Sequence, residues 1–174
     1  MTHVHDQGLF YDAAEYADIM LLKAINESLW GDSVKANAYY DVADALWDGK
    51  GFADAGNHPD HDDYQTYKVA LYIYASKLLG RVASDNYTQA AYVLPLMQKH
   101  GGVVPETDGG FSTWYTWDDS SPIAQGSTNV ETTTLAILAL DQPTTVIPEF
   151  GPTLVPIILM LATVILISRK RKGV

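Results

Sequence analysis

Carboxylate and imidazole side chains are concentrated in residues 49–63, which read GKGFADAGNHPDHDD. Carboxylate oxygens suit calcium, and imidazole combined with carboxylate suits zinc. The spacing fixes no coordination geometry, so a solvated acidic loop whose last two aspartates cap the next helix explains the same residues. The sequence therefore predicts no required cofactor, with calcium or zinc as alternatives at one set of side chains: Asp54, His58, Asp60, His61, Asp62 and Asp63.

Aromatic and acidic side chains are concentrated in a second long connection, residues 101–128. Residues 112–117 alternate as a β-strand does, after a turn signal at Gly109 and Gly110. Aromatic faces stack on sugar rings and carboxylates bind hydroxyls, so this segment predicts a glycan site, or acid–base glycoside chemistry if two carboxylates are suitably spaced. Alternatively, the tryptophans cover the helices and the acids cap turns. The candidate ligand-binding residues are Trp114, Tyr115, Trp117, Glu106, Asp108, Asp118 and Asp119.

Five helices are predicted to position these two loops. Hydrophobic periodicity and end signals place them at residues 13–29, 33–47, 64–79, 86–99 and 130–140. The third and fifth helices are apolar on every side, which predicts burial all round, whereas the second and fourth are amphipathic. The odd-numbered helices are therefore expected to be inner and the even-numbered ones outer.

A sequence repeat relates the third and fifth helices. A Gly-Phe pair precedes each of them, and further positions match at a separation of 66 residues. The phenylalanines of the two Gly-Phe pairs are Phe52 and Phe111, and the positions that match at 66 residues are Thr66 with Thr132 and Ala70 with Ala136. Repeats of this size predict stacked helix pairs, each of which buries little surface alone and needs neighbours.

This organisation resembles the α/α-toroid superfamily of terpenoid cyclases and protein prenyltransferase β-subunits, over about residues 8–140. Residues 108–111 (DGGF) are similar to the Asp-Gly-Gly/Ser-aromatic core of the cyclase repeat, and residues 60–63 (DHDD) to the Asp-x-Asp-Asp proton-donor motif. The helix pairs are too few to close a toroid. The expected fold class is all-α, a partial α/α-toroid-like array with its long loops on one face. Self-association, or membership of a longer chain, would complete such an array.

Charge and composition exclude several classes of protein. The body up to residue 150 has seven basic against 21 acidic residues, a formal charge of −14. Phosphate binding needs the opposite sign, so no nucleic-acid partner is expected. The chain has no cysteine, which excludes disulfides, thiolate metal sites and a cysteine nucleophile.

Residues 152–168 carry no charge and are followed at once by RKRK at 169–172. As a helix this run would span about 25 Å, near the lower limit for crossing a bilayer. The positive-inside rule places the basic cluster in the cytoplasm. The predicted organisation is an extracellular helical domain (1–141), a Pro/Thr linker (142–151), a transmembrane helix (152–168) and a basic cytoplasmic tail (169–174).

Pro148, Glu149 and Phe150 precede the apolar run. The order of this motif, an apolar helix and a basic cluster resembles the PEF-type C-terminal sorting signals of archaeal surface proteins. The resemblance implies processing by an archaeosortase-type transpeptidase. Glycosylation sequons at Asn26 and Asn86 agree with export. The first residues show no signal-peptide pattern, so either the C-terminal helix inserts by itself or the chain is the downstream part of a longer protein.

The sequence favours a non-catalytic, membrane-anchored surface protein. Its acidic and aromatic loops would bind a glycan or a cation, or serve cell-envelope architecture. The alternative is the C-terminal part of an α/α-toroid enzyme that acts on polysaccharide as a glycosidase or lyase, or on an isoprenoid as a cyclase.

Overall fold

The computed structural model describes residues 12–56, 63–100 and 109–141, and all structural statements below refer to them. The helices are α1 (Ala17–Leu29), α2 (Ser33–Asp44), α3 (Thr66–Leu78), α4 (Asp85–Leu96) and α5 (Val130–Asp141). A 3₁₀ turn, Ala13–Glu15, precedes α1. The five predicted helices are therefore confirmed. Asp32 caps α2 by accepting a hydrogen bond from the Lys35 amide (3.0 Å), and Ser84 caps α4 in the same way from Tyr87 (3.1 Å).

The prediction of an all-α fold is wrong, because three antiparallel strands form a sheet. They are β1 (Tyr64–Gln65), β2 (Ser112–Asp118) and β3 (Ser121–Thr128), in the order β1-β2-β3. β2 is the strand that the alternating pattern indicated. Its partner β3 contains Pro122, Gly126 and a single large apolar residue, Ile123, so it carries little strand signal of its own.

Helix α3 is the centre of the helical layer. It packs against α1, α4 and α5, while α2 packs on α1. Nine of its 13 residues are buried, which confirms the prediction made from the apolar residues on all its sides. The same prediction is wrong for α5, which packs mainly on α3 and leaves four apolar side chains exposed: Val130, Ile137, Leu138 and Leu140.

The sequence repeat is also a structural repeat. Phe52 forms an antiparallel bridge with Trp47 after α2, and Phe111 forms the same bridge with Gln98 after α4. In both copies the residue after the phenylalanine donates its amide to the carbonyl just before the bridge partner. These bonds are Ala53 to Leu46 (3.0 Å) and Ser112 to Met97 (2.9 Å). The matched threonines and alanines are all buried.

An aromatic cluster fills the space between α2 and α3 in the first copy. The ring of Tyr72 stacks on Tyr40 (5.4 Å between centroids) and on Trp47 (5.7 Å), and meets Phe52 edge-on (5.5 Å). Its hydroxyl donates to the carboxylate of Asp44. Burial, followed by this hydrogen bond, raises the pKa of Tyr72, so the phenol is a neutral donor in the folded protein.

A buried ion pair joins α3 to the turn after Phe52. Lys68 Nζ lies 2.6 and 2.8 Å from the two carboxylate oxygens of Asp54, and both side chains are almost fully buried. The same carboxylate accepts the backbone amides of Ala17 (2.8 Å) and Gly56 (3.0 Å). Asp54 therefore connects the start of α1, the turn itself and the first turn of α3.

Substitution of Lys68 tests this connection. In Lys68→Met the buried Asp54 carboxylate loses its counter-charge, so the free energy of unfolding should fall by about 3–5 kcal/mol. Urea unfolding of the full chain in mild detergent, followed by tryptophan fluorescence, measures the change. Lys35→Met is the matched control, because it breaks the exposed Lys35–Asp32 pair (2.8 Å) and should leave stability nearly unchanged. Equal effects of the two substitutions would contradict the importance of the buried pair.

Candidate functional site

A groove with a volume of ≈ 550 Å³ lies between the sheet and the first turn of α5. Its size falls within the range of small-molecule and cofactor pockets. Acidic, amide, hydroxyl and aromatic groups line it together. The lining residues are Gly56, Asp63, Gln65, Tyr67, Thr113, Trp114, Asn129, Glu131 and Thr132.

Trp114 is the largest side chain of the groove. It stands on the central strand β2, where its backbone pairs with Gln65 of β1 and Gln125 of β3. The strand register shifts beside it, at Gly126, whose φ is +69°. A Cβ at position 126 would lie 2.5 Å from the indole Nε1, so only glycine permits this close approach. Lys99 Nζ donates a hydrogen bond to the Gly126 carbonyl.

The start of α5 supplies the polar wall of the groove. Asn129 caps this helix, because its side-chain oxygen accepts a hydrogen bond from the amide of Thr132 at 2.7 Å. Glu131 is exposed on the first turn, and Asp63 is half-buried just before β1. Two carboxylates and the groups of the capping turn therefore face the same groove as the indole of Trp114.

Tyr67 anchors the groove to the helical layer. Its hydroxyl donates to Asp18 of α1 at 2.8 Å. Burial, followed by this hydrogen bond, raises the pKa of Tyr67, so the ring is held as a neutral donor. Beneath it, a Cβ at Gly56 would come within 2.9 Å of Lys68 Nζ, which places the buried ion pair directly under the groove.

The structure separates the three aromatic residues that the sequence grouped as a glycan site. Tyr115 is fully buried: its ring stacks on Tyr64 (5.4 Å) and its hydroxyl donates to the Lys50 carbonyl at 2.8 Å. Trp117 donates its indole N–H to the same carbonyl at 3.0 Å. Of the three, Trp114 alone lines the groove.

The four acids of the predicted glycan site are also dispersed. Asp118 and Asp119 are exposed at the β2–β3 turn, where Asp119 has a φ of +41°. Neither lines the groove. Glu106 and Asp108 lie outside the described residues.

Asp54, one of the candidate metal ligands, forms an ion pair in the structure. Its carboxylate is buried against Lys68, and a cation would have to displace that ammonium group. Asp63 lines the groove, whereas His58, Asp60, His61 and Asp62 fall in a stretch that the structure does not describe. Within 12–56, 63–100 and 109–141, no three acidic or histidine side chains lie close enough together to hold a metal ion. Calcium or zinc binding by the remaining residues stays a prediction.

Several groove residues were not recognised in the sequence as site residues. The repeat contains a signal for two of them, because Gln65 and Glu131 are also 66 residues apart. Equivalent residues at the starts of two neighbouring parallel helices must lie at the same end of the array. Tyr67 and Thr113 carry no comparable signal, since their place in the groove depends on how the sheet meets α3.

The two sequons differ in their surroundings. Asn26 is exposed on α1. Asn86 is half-buried in the first turn of α4, where its amide nitrogen donates to the Asp44 carboxylate at 3.1 Å. Glycosylation at Asn86 would replace one of the two hydrogens of this half-buried nitrogen.

The sorting motif Pro148-Glu149-Phe150 and the apolar run 152–168 lie outside the described residues. Among the helices that are described, none has the length and hydrophobicity needed to cross a membrane. No protein-family model, curated protein or solved structure matches this chain. The toroid and sorting-signal resemblances therefore rest on the sequence motifs alone.

Alkaline titration tests the burial of the tyrosines around the groove. Burial raises the pKa of Tyr115 and of Tyr67 above the value of about 10 that they have when unfolded. The folded state thus binds more protons at high pH, so the stability they contribute is complete below pH 10 and is lost as pH rises further. We expect their phenolate absorbance to appear only with alkaline unfolding. The chain unfolded in urea, where all tyrosines should titrate in one step, is the control. A single step in the folded protein would contradict the burial.

Proposed function

We propose that this chain is a membrane-anchored surface protein whose body binds a glycan in the groove. The observation that supports this proposal is the Trp114 indole beside the carboxylates of Asp63 and Glu131. A sugar ring has an apolar face of C–H groups and a rim of hydroxyls. A flat aromatic ring suits that face, and carboxylates and amides suit the rim.

The groove is largely preorganised for such a ligand. Trp114 is fixed by the central strand and by the close approach of Gly126, and Tyr67 is fixed by its hydrogen bond to Asp18. Side chains that are already ordered lose little entropy when a ligand binds. This favours measurable affinity for a short oligosaccharide.

The charge of the body narrows the class of glycan. The first 150 residues carry a formal charge of −14, and two carboxylates line the groove itself. A uronic acid or sulfated sugar would be repelled, so the ligand we propose is a neutral or amino sugar.

The sequence beyond the body supports the surface location. The uncharged run 152–168 and the RKRK cluster that follows it have the order of a transmembrane helix with a cytoplasmic tail. We propose that this segment holds the body outside the cell, and that processing at the PEF motif would release or reattach it there.

Cleavage of polysaccharide is the second candidate function. Asp63 and Glu131 share one groove, and glycosidases use a pair of carboxylates on either side of the scissile bond. An isoprenoid cyclase receives no such support, because polar groups in an open groove would quench a carbocation.

Trp114→Ala tests the glycan site. Loss of the stacking surface should weaken binding of neutral oligosaccharides by about tenfold. A glycan array selects the ligand, and isothermal titration calorimetry on the full chain in lipid nanodiscs measures the dissociation constant. Trp30→Ala is the control, because Trp30 is 78% exposed at the far end of α1 and should not affect binding.

Two results would change the assignment. If the wild type binds no neutral or amino sugar, or if Trp114→Ala binds as the wild type does, the groove is not a glycan site. If the wild type releases new reducing ends from a bound glycan, and Glu131→Gln binds that glycan without cleaving it, the protein is an enzyme of the second class.

Cysteine labelling tests the topology, because the chain has no cysteine of its own. Ser120→Cys lies at the exposed β2–β3 turn and should react with a membrane-impermeant maleimide on intact cells. Gly173→Cys, in the basic tail, should react only after permeabilisation. The opposite pattern would contradict both the orientation and the surface function.

A further inference from the structure

The three inner helices run parallel to one another. At their starts, Tyr67 of α3 binds Asp18 of α1, and the groove joins the first turns of α3 and α5. At their ends, Lys77 of α3 donates to the Ala139 carbonyl of α5 at 2.7 Å. The inner layer is therefore a row in the order α1-α3-α5, and α3 is covered by its neighbours on both sides.

The two helices at the ends of this row, α1 and α5, each leave an apolar edge exposed. On α5, Ile137 and Leu138 are 55% and 47% exposed, whereas their repeat equivalents on α3, Leu71 and Tyr72, are 5% and 0% exposed. In the first repeat, Tyr40 and Trp47 cover Tyr72. On α1, Leu22 and Leu29 are both 53% exposed and lie two helical turns apart on one face.

A recess of ≈ 360 Å³ adjoins the exposed edge of α5 near its end. Its lining includes Gln98, Phe111, Ile137 and Leu140. In the first repeat, the indole of Trp47 occupies the equivalent space. Gln98 is the residue that corresponds to Trp47 in the second repeat. The second repeat thus lacks the large aromatic side chain that fills the first.

The exposed apolar side chains of α1 suit the exposed apolar edge of α5. A further inner helix parallel to α5 would put its last residues beside the recess. The last turn of α1 ends in Leu29, and Trp30, which follows it, is 78% exposed. An indole of this kind could fill the recess as Trp47 fills its counterpart.

We propose that copies of this chain associate head to tail, with the α1 edge of one copy packed on the α5 edge of the next. The contact joins two different surfaces, so it repeats until the copies close into a ring or extend as a chain. It extends the row α1-α3-α5 by a helix of the next copy and buries both apolar edges. The proposal is independent of glycan binding, because none of the residues of these two edges lines the groove.

Sedimentation velocity on the full chain in detergent micelles tests the proposal. The wild type should form oligomers as concentration increases. Leu22→Asp and Ile137→Asp should each raise the midpoint concentration of association by at least about tenfold, because each places a charge in an apolar contact. Tyr92→Asp is the control: Tyr92 is also 53% exposed but lies on the outer helix α4.

Mixing the two variants separates this contact from others. Each variant keeps one intact edge, so an equal mixture of Leu22→Asp and Ile137→Asp should form a one-to-one complex and nothing larger. Continued association of either variant alone would show a symmetric contact and overturn the proposal. A monomeric wild type, or oligomers that neither substitution affects, would also overturn it. Leu29→Asp and Leu140→Asp provide a second pair at the same edges if circular dichroism shows that a first variant is unfolded.

Discussion

The carboxylate of Asp54 is buried among three donor groups, and much of the structure depends on keeping it there. Lys68 supplies the counter-charge, and the amides of Ala17 and Gly56 complete the hydrogen bonds. Because an unpaired buried charge is very costly, the start of α1, the turn after Phe52 and the first turn of α3 must stay together. Gly56 also lines the groove, so the same interaction that orders the helix starts supports one wall of the site.

The repeat explains why the helical layer has a polar groove in one place and an exposed apolar edge in another. At the helix starts, the long loops and the sheet meet in a polar groove whose residues include the repeat partners Gln65 and Glu131. Farther along the helices, Trp47, Phe52 and Tyr72 fill the first copy, whereas the second copy leaves a recess and an apolar edge on α5. Ligand recognition is therefore proposed for the groove and self-association for the apolar edges of α1 and α5, which are different surfaces.

The candidate site shows where sequence reasoning about function is reliable and where it is not. The alternating pattern of residues 112–117 predicts a strand rich in aromatic residues, and the structure confirms this strand as β2. In a strand, however, successive side chains point to opposite faces, and the face that meets the core was decided by Tyr64 and Lys50, far away in the chain. The side chain of Tyr115 is therefore buried in the core, whereas that of Trp114 lines the groove. The partners of Trp114 in that groove, such as Tyr67 and Asn129, come from segments on either side of it in the chain.

The sequence by itself determined what depends on neighbouring residues. Caps at Asp32, Ser84 and Asn129 and the apolar periodicity between them set the five helices, and the 66-residue spacing set the repeat. Tertiary structure decided what depends on distant partners. β3 is a strand because β2 offers it unpaired backbone groups, and Asp54 forms a buried ion pair because folding brings Lys68 within 2.6 Å. Local signals act through bonds between residues a few positions apart, whereas the burial of a face or a charge is settled only when separate segments pack together.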